Sequence, residues 1–212
     1  MDKLQQIKDN GVVAIIRGAN PKSILSIAGA LKDGGVKTLE ITVETPRVLP
    51  LIEEVASKFG DELIVGAGTV LDPETARAAI MAGAQFIFSP TVNVETIRTT
   101  KRYGVISIPG ALTPTEILTA YENGADVIKV FPANIFGPNY LKDIHGPLPQ
   151  VPLMPTGGID LHNLTDYIKA GAVAVGLGGS LVKKQDVTEQ SLEELRQKAS
   201  QFVEAVKQAR NG

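Results

Sequence analysis

Short apolar runs alternate along the chain with longer segments in which apolar residues recur at helical spacing. Runs of this length, rich in valine and isoleucine and bounded by turn residues, predict buried strands. They lie at 12–17, 36–43, 62–67, 84–89, 105–108, 126–131, 152–156 and 172–177. The segments between them, such as "PETARAAIMAG" and "LHNLTDYIKAG", end in glycine, as helices commonly do.

One unit recurs: a helical segment, a glycine and a buried strand, as in "ENGADVIKV" and "KAGAVAVGL". Near-continuous apolar strands that alternate with helices are typical of a parallel sheet covered on both faces. Eight such units in 212 residues predict a single α/β domain, 1–212, folded as a (β/α)8 TIM barrel. Residues 1–10 are expected to form a capping helix over the barrel floor, and residues from about 190 to 209 a final helix. An open doubly wound sheet is the alternative, but no G-x-G-x-x-G motif follows the first strand, which disfavours its dinucleotide-binding form.

Composition narrows the class of protein. The chain is 43% hydrophobic and 21% charged, with a formal net charge of −2, which is ordinary for a globular domain. No basic run stands out, so nucleic acid is not an expected partner. The absence of cysteine excludes disulfides and a cysteine nucleophile. The longest apolar run near the N-terminus is too short to span a bilayer, so we expect a cytoplasmic protein with no membrane partner.

Three predicted strands each carry one charged residue within an apolar run. Successive strand residues point to opposite faces, so Lys129 shares a face with Val127 and Phe131 in the sixth strand. Glu40 in the second strand and Arg17 in the first lie at comparable depth. In a barrel these positions lie toward the catalytic mouth, and we expect the three side chains to converge in one pocket. The alternative is a structural ion pair of Lys129 with Glu40 that plugs the barrel.

A lysine in a dry site has a lowered pKa, because desolvation disfavours the charged form. A nearby Arg17 would lower the pKa of Lys129 further, whereas ionised Glu40 would raise it. The neutral amine attacks carbonyl carbons and forms a Schiff base. Lys129 is therefore a candidate nucleophile toward a keto substrate.

Two neighbouring loops are rich in glycine. "PTGGID" (155–160) follows the seventh predicted strand, with Asp160 placed to cap the next helix, and "GLGGSL" (176–181) follows the eighth. Glycines let backbone N–H groups approach an anion, and these two loops are the usual phosphate site of the fold. Ser180 could add a hydroxyl donor. The alternative is that the glycines only make tight turns.

At these residues the sequence resembles the 2-keto-3-deoxy-6-phosphogluconate (KDPG) and 4-hydroxy-2-oxoglutarate (KHG) aldolase family, a class I (Schiff-base) group. The resemblance covers positions 12 to 182, in family order. The matching pieces are "VVAIIRG", "LEIT", "VGAGTVLDP", "AGAQFIFSP", "IPGALTPTEI", "IKVFPA", "GPLPQVPLMPTGGI" and "GLGGSL". It implies a (β/α)8 barrel, a homotrimer, and catalysis with neither cofactor nor metal.

The resemblance also implies roles for individual residues. Lys129 matches the Schiff-base lysine and Glu40 the acid/base glutamate, while Arg17 matches a residue that binds an anionic end of the substrate. Thr69 and Thr156 match residues that line the pyruvate end. The full set of implied substrate-binding residues is Arg17, Thr69, Pro90, Phe131, Thr156, Gly157, Gly158, Gly178, Gly179 and Ser180, of which the glycines and Ser180 form the phosphate cradle.

The implied activity is that of a lyase that cleaves KDPG to pyruvate and glyceraldehyde 3-phosphate, with KHG, cleaved to pyruvate and glyoxylate, as a further substrate. A 2-keto-3-deoxy-6-phosphogalactonate aldolase is the alternative. The chain departs from the pattern at Glu44, where some members carry an arginine, and this leaves Arg17 with more of the anion binding.

Two alternative functions outside the aldolases remain. A phosphosugar isomerase or epimerase would suit the phosphate loops equally well, but a metal-dependent epimerase needs histidines at strand ends. His145 and His162, the two histidines of the chain, fall in predicted helical or loop segments. A non-catalytic phosphosugar-binding barrel would have no need of the reactive lysine, which is present as Lys129.

Overall fold

The computed structural model of the chain describes residues 2–18, 20–183 and 187–211. The helices are α1 Lys3–Asn10, α2 Ile24–Asp33, α3 Val48–Phe59, α4 Pro73–Met81, α5 Val94–Arg102, α6 Pro114–Glu122, α7 Asn139–His145, α8 Leu164–Lys169 and α9 Glu189–Asn211. The strands are β1 Val12–Ile16, β2 Thr38–Thr42, β3 Ile64–Gly68, β4 Phe86–Phe88, β5 Ile106–Ile108, β6 Gly110–Ala111, β7 Ile128–Val130, β8 Leu153–Pro155 and β9 Val175–Leu177. Each predicted strand overlaps one of these strands, with β3 ending one residue later than predicted, and β6 is additional.

The strands are parallel and neighbour one another in chain order. Six of them form one sheet in the order β5-β4-β3-β2-β1-β9, and β6-β7-β8 form a second. The two sheets are linked between β8 and β9 by a parallel bridge from Thr156 to Gly176. The Val173 N–H also donates to the Leu153 carbonyl at 2.9 Å. The protein therefore has an α/β fold with parallel strands in a curled sheet.

Pro109 separates β5, which lies within the fifth predicted strand, from the additional strand β6. Proline has no N–H and interrupts a hydrogen-bonded ladder. Before it, β5 pairs with β4; after it, β6 pairs with β7, with Gly110 opposite Lys129. The Pro109 carbonyl accepts the Lys129 N–H at 2.9 Å. The chain thus passes from one sheet to the other at Pro109, and the strand that it enters, β6, pairs with the strand that carries Lys129.

Strand alternation divides the core into two clusters. One set of strand side chains, including Val12, Ala14 and Ile16, packs against helix residues such as Leu31 and Phe202. The opposite set packs together on the inner face of the strands. The members of this inner cluster are Ile7, Val13, Ile15, Ile64, Phe86, Phe88, Ile106, Ile108, Val127, Met154 and Ala174.

Helix α1 lies at the amino-terminal ends of the strands. Ile7 belongs to the inner cluster and is fully buried. The Asn10 side chain accepts the N–H of Lys37, just before β2, at 3.1 Å and donates to the Gly35 carbonyl at 2.9 Å. The inner face is thereby covered at one end, and the carboxyl ends of the strands are left for a site. Among the described helices, none combines the length and apolar character that a membrane span requires.

Candidate active site

Lys129 lies in the middle of β7, and its side chain reaches the inner face. It is 5% exposed. Its Nζ lies 4.2 Å from the ring centroid of Phe88 and 4.6 Å from that of Phe131. Burial lowers the pKa of Lys129 from 10.5 to about 8, against the opposing field of Glu40. The lowered pKa predicted from the sequence is thus supported by the geometry around the amine.

Glu40 reaches the same inner face from β2 and is 1% exposed. Its carboxyl group occupies the space above β3 that Gly68 leaves open. A Cβ added at Gly68 would lie 1.3 Å from Glu40 Oε2, so any other residue at position 68 would displace this carboxyl. Burial raises the pKa of Glu40 to about 8, although the charges of Lys129 and Arg17 oppose the shift.

The inner-face amine and carboxyl do not form the structural ion pair considered above. Within the described residues, Lys129 has neither an ion pair nor a side-chain hydrogen bond, and Glu40 Oε2 has no hydrogen-bond partner. The two groups still feel each other's charge. Because their pKa values are brought close together, either group can hold or release a proton near neutral pH at little cost.

A cavity of about 500 Å³ opens at the carboxyl ends of β1, β7, β8 and β9. Its wall brings together most of the predicted substrate-binding residues. The lining residues are Ile15, Arg17, Phe131, Thr156, Gly157, Gly158, Ile159, Asp160, Gly176, Gly178, Gly179, Ser180 and Val182. Phe131 connects the cavity to the amine, because its ring both lines the wall and lies over Lys129 Nζ.

Four predicted site residues do not line this cavity as the described residues define it: Lys129, Glu40, Thr69 and Pro90. Thr69 directly follows Gly68 at the end of β3, next to the Glu40 carboxyl. The Pro90 carbonyl carbon lies 2.4 Å from where a Cβ of Gly110 would be. Both residues therefore lie at the same end of the strands as the amine.

The two glycine-rich loops differ in why they contain glycine. Gly157 and Gly158 have φ values of +97° and +70°, which side chains rarely adopt, so the turn itself demands glycine there. At Gly178 and Gly179 φ is not positive, and an added Cβ would meet nothing within 4 Å. Turn geometry therefore does not require glycine at this second pair, and the space beside it is open.

Backbone donors in these loops are free. The N–H groups of Gly158, Ile159, Gly179 and Ser180 have no acceptor among the residues that the structure describes. Unpaired N–H groups around a concave wall suit an anion.

The expected capping of the next helix by Asp160 is wrong: α8 begins at Leu164, and the Asp160 carboxylate instead accepts the His162 N–H at 2.8 Å.

Arg17 meets an acid at the rim of the cavity. Its Nη1 lies 3.5 Å from Glu44 Oε1, and the two side chains are 61% and 52% exposed. Glu44, where the resemblance implied an arginine in some family members, thus lies within ion-pair distance of the guanidinium that was expected to bind substrate.

Sequence reasoning did not assign two residues that the structure places at the site. The Thr42 hydroxyl is fully buried on the face of Glu40 and, like that of Thr156, has no partner among the described residues. Strand alternation was the available signal, since Thr42 shares the face of Glu40. Asp160 adds a negative charge to the cavity wall, and its adjacency to Gly158 was the signal for this position.

The positions of the two histidines bear on the metal-dependent epimerase considered in the sequence analysis. His145 contacts the Val151 carbonyl through Nε2 at 3.1 Å, and His162 lies in an exposed turn. The described residues contain no group of three or more histidine, cysteine or acidic side chains arranged to hold a metal ion. Neither histidine lines the cavity.

Known proteins resemble the chain over most of its length. A 2-dehydro-3-deoxy-6-phosphogalactonate aldolase of Escherichia coli (strain K12) is 37% identical over 199 residues, covering 93% of this chain and 95% of that protein. A 2-dehydro-3-deoxy-phosphogluconate aldolase of Pseudomonas aeruginosa is 42% identical over 158 residues, 74% of this chain and 70% of that protein. A crystal structure of KDPG aldolase from Legionella pneumophila, with pyruvate captured as a covalent carbinolamine intermediate, aligns with a TM-score of 0.81 and 28% identity over 99% of this chain and 98% of that one.

A family model described as KDPG and KHG aldolase matches residues 4–198. The match includes both inner-face groups and both glycine-rich loops. The chain therefore belongs to the KDPG and KHG aldolase family, whose members are lyases.

Proposed function

We propose that the protein is a class I aldolase that cleaves KDPG to pyruvate and glyceraldehyde 3-phosphate through a Schiff base on Lys129. The observation that carries the proposal is the buried amine of Lys129, whose pKa is lowered to about 8 and which lies beside a cavity of substrate size. The covalent carbinolamine of pyruvate in the Legionella relative supports the same chemistry for this chain.

In the proposed mechanism, the neutral amine of Lys129 attacks the C2 ketone, and loss of water leaves a protonated imine. Glu40 removes the proton of the C4 hydroxyl, directly or through one water, and the C3–C4 bond breaks. The bonding electrons move to the imine nitrogen and form an enamine, while C4 becomes the aldehyde of glyceraldehyde 3-phosphate. Protonation of the enamine at C3 by Glu40 and hydrolysis release pyruvate and restore the amine.

The ends of the substrate are assigned to different parts of the site. Arg17, Thr69 and Thr156 hold the carboxylate end, with Pro90 and Phe131 packing beside the reacting carbons. The phosphate lies between the two loops, bound by backbone N–H groups and by Ser180. The free N–H groups of both loops and the empty space beside Gly178 and Gly179 support this assignment.

The proposal extends to the closure of the barrel and to the oligomeric state. We infer that the two sheets form one (β/α)8 barrel, because the strands neighbour one another in chain order and β9 pairs with β1. A homotrimer in the cytoplasm is proposed from the family resemblance. Light scattering on the purified protein should give three times the mass of one chain; a monomer or dimer would contradict the trimer.

A second substrate is supported by a specific observation. The Escherichia coli phosphogalactonate aldolase matches 93% of this chain at 37% identity, so the C4 epimer, 2-keto-3-deoxy-6-phosphogalactonate, is the alternative substrate. Unphosphorylated KHG is a third candidate. A coupled assay of pyruvate release on the three substrates side by side will rank them by kcat/KM, and the KDPG proposal requires KDPG to rank first.

The Schiff base is tested by trapping. Incubation with pyruvate and borohydride should leave a covalent adduct on the peptide that contains Lys129, and Lys129→Ala should abolish both the adduct and turnover. Lys142→Ala, on α7 and outside the cavity lining, is the matched control. If the wild-type protein forms no adduct, or forms it on another lysine, the mechanism is wrong.

A further inference from the structure

We propose that Asn163 is a positioning residue for the phosphate end of the substrate. It would hold the loop of residues 157–160 in the conformation that presents its backbone N–H groups to the cavity. This inference rests on the proposed function, because it assigns an additional residue to the same phosphate site.

The carboxamide of Asn163 binds the loop at two points. Its Nδ2 donates to the Gly158 carbonyl at 2.9 Å, and its Oδ1 accepts the Asp160 N–H at 3.0 Å. Both ends of one planar group are therefore used across a segment of three residues. Since an asparagine supplies a donor and an acceptor together, no smaller or singly functional side chain can make both bonds.

The backbone of Asn163 is hydrogen-bonded to the first turn of α8. Asn163 is the residue before α8, and its carbonyl accepts the N–H groups of Asp166 at 3.1 Å and Tyr167 at 3.3 Å. Tyr167 is 2% exposed, and its hydroxyl donates to the Ala133 carbonyl at 3.0 Å. The carboxamide thus connects the loop to the start of α8, a helix whose Tyr167 is buried.

The loop needs this support because of its glycines. Gly157 and Gly158 have the widest choice of backbone conformations, and both adopt positive φ values here. In a trans peptide the carbonyl and the next N–H point in opposite directions. When the Gly158 carbonyl faces Asn163, the Ile159 N–H on the same peptide faces away from Asn163, and Ile159 lines the cavity. Loss of the Asn163 bonds would let this peptide rotate and withdraw a donor from the phosphate.

The substitution Asn163→Ala tests the proposal with matched substrates. The assay compares KDPG with 2-keto-3-deoxygluconate, the same sugar acid without the phosphate. We expect the KM for KDPG to rise about tenfold, as for the loss of one to two hydrogen bonds, while the KM for the unphosphorylated substrate changes less than twofold. Equal changes for both substrates, or no change for either, would overturn the proposal.

Asn93→Ala is the matched control. Asn93 also stands before a helix, accepts the Thr96 N–H at 2.9 Å and reaches a loop carbonyl, that of Leu71, at 3.4 Å, but it does not line the cavity. A role for Asn163 in stability alone would make the two variants alike, with similar losses in melting temperature and no selective change in KM. That result counts against the proposal.

A second variant and a direct binding measurement separate this proposal from the proposed function. Asn163→Ser retains a small polar side chain and is used if the alanine variant does not fold. Binding of inorganic phosphate, followed by calorimetry, should weaken about tenfold in either variant. If the wild-type protein binds phosphate but cleaves none of the aldol substrates, the proposed function fails, and phosphate binding in the variants still tests the role of Asn163. If phosphate binding is unchanged in the variants, the role of Asn163 is refuted and the proposed function is not affected.

Discussion

At the scale of single residues, the site depends on two ionisable groups that are buried away from water. Lys129 and Glu40 are 5% and 1% exposed, and burial shifts the pKa of each toward the other. The rings of Phe88 and Phe131 favour the charged amine, which limits how far the pKa can fall. The balance leaves an amine that exchanges its proton near neutral pH rather than near pH 10.

The first prediction follows from this balance. Below a pH of about 8 the free enzyme carries a protonated Lys129, which cannot attack a ketone, so kcat/KM should fall as the pH falls. We expect the acidic limb of the profile to have its midpoint near pH 8, measured by pyruvate release at constant ionic strength. A midpoint near the ordinary lysine value of 10.5 would show that the amine is not desolvated in solution.

Glu44 supports a second prediction. Its carboxylate holds Arg17 at 3.5 Å in the free protein, and the substrate carboxylate must compete for the same guanidinium. Exposed ion pairs contribute about 0–1 kcal/mol, so Glu44→Gln should lower the KM for the substrate about two- to fivefold. Glu95→Gln is the control, because Glu95 pairs with Arg98 at 3.1 Å at similar exposure. A KM that rises in Glu44→Gln would contradict competition.

Thr69 supports a third prediction, on strain. It is a β-branched residue at φ +58°, a conformation that costs about 1–3 kcal/mol and is found mainly at functional sites. Thr69→Gly should raise the free energy of unfolding by about 0.5–1 kcal/mol and reduce kcat/KM. Arg47→Gly, at φ +59° before α3, should give a similar gain in stability without loss of activity. Urea denaturation and the pyruvate assay measure both effects; a destabilised Thr69→Gly would show that the strain is not stored there.

The residue scale also shows the limits of sequence reasoning. Lys129 and Glu40 could be placed on the inner face from strand alternation alone, because the side-chain period of a strand is two, whereas Arg17 lies at the exposed rim of the cavity. Glu44 could be recognised as unusual, but its bond to Arg17 depends on the side-chain conformations of two long, exposed residues. The bonds of Asn163 likewise depend on the exact course of a glycine loop, which no periodic pattern encodes.

At the scale of elements, the strands were predictable and the ends of the helices less so. The strands have short, near-continuous apolar runs that contrast with their surroundings, and each run overlaps an observed strand. The start of α8 was placed too early, because the turn at 161–163 uses the Asp160 carboxylate in the way that a helix cap would. The additional strand β6 follows Pro109. The sequence does not show that the chain changes its pairing partner there, from β4 before the proline to β7 after it.

The junction of α1 and α9 supports a fourth prediction. The Arg210 guanidinium donates to the carbonyls of Lys8, Asp9 and Val173 at 2.6, 2.7 and 2.8 Å. It thereby joins the last helix, the end of the first helix and the segment before β9. Because charged donors to carbonyls are worth more than neutral ones, Arg210→Ala should reduce the free energy of unfolding by about 1–3 kcal/mol.

The control for this prediction is Arg98→Ala, which removes one exposed ion pair on α5 and should change stability by less than about 0.5 kcal/mol. Urea denaturation of both variants measures the difference. If the two variants lose equal stability, the three carbonyl bonds do not contribute in solution.

At the scale of the whole molecule, the two ends of the strands have separate tasks. The amino-terminal end is covered by α1, with Ile7 fully buried in the inner cluster. The carboxyl end holds the amine, the acid, the cavity and both glycine-rich loops. This division follows from parallel strands, whose carboxyl ends all meet at one edge, and it explains why residues far apart in sequence could be assigned to one site before their contacts were known.

The position of the Glu40 carboxyl has a consequence for how the chain can vary. Gly68 has no side chain and contacts no reacting atom in the proposed mechanism, yet a Cβ there would lie 1.3 Å from Glu40 Oε2. In a library of all single substitutions, position 68 should therefore be as intolerant as the acid that it accommodates. Variation at the two positions is therefore coupled, because a side chain at position 68 displaces the Glu40 carboxyl from its present place.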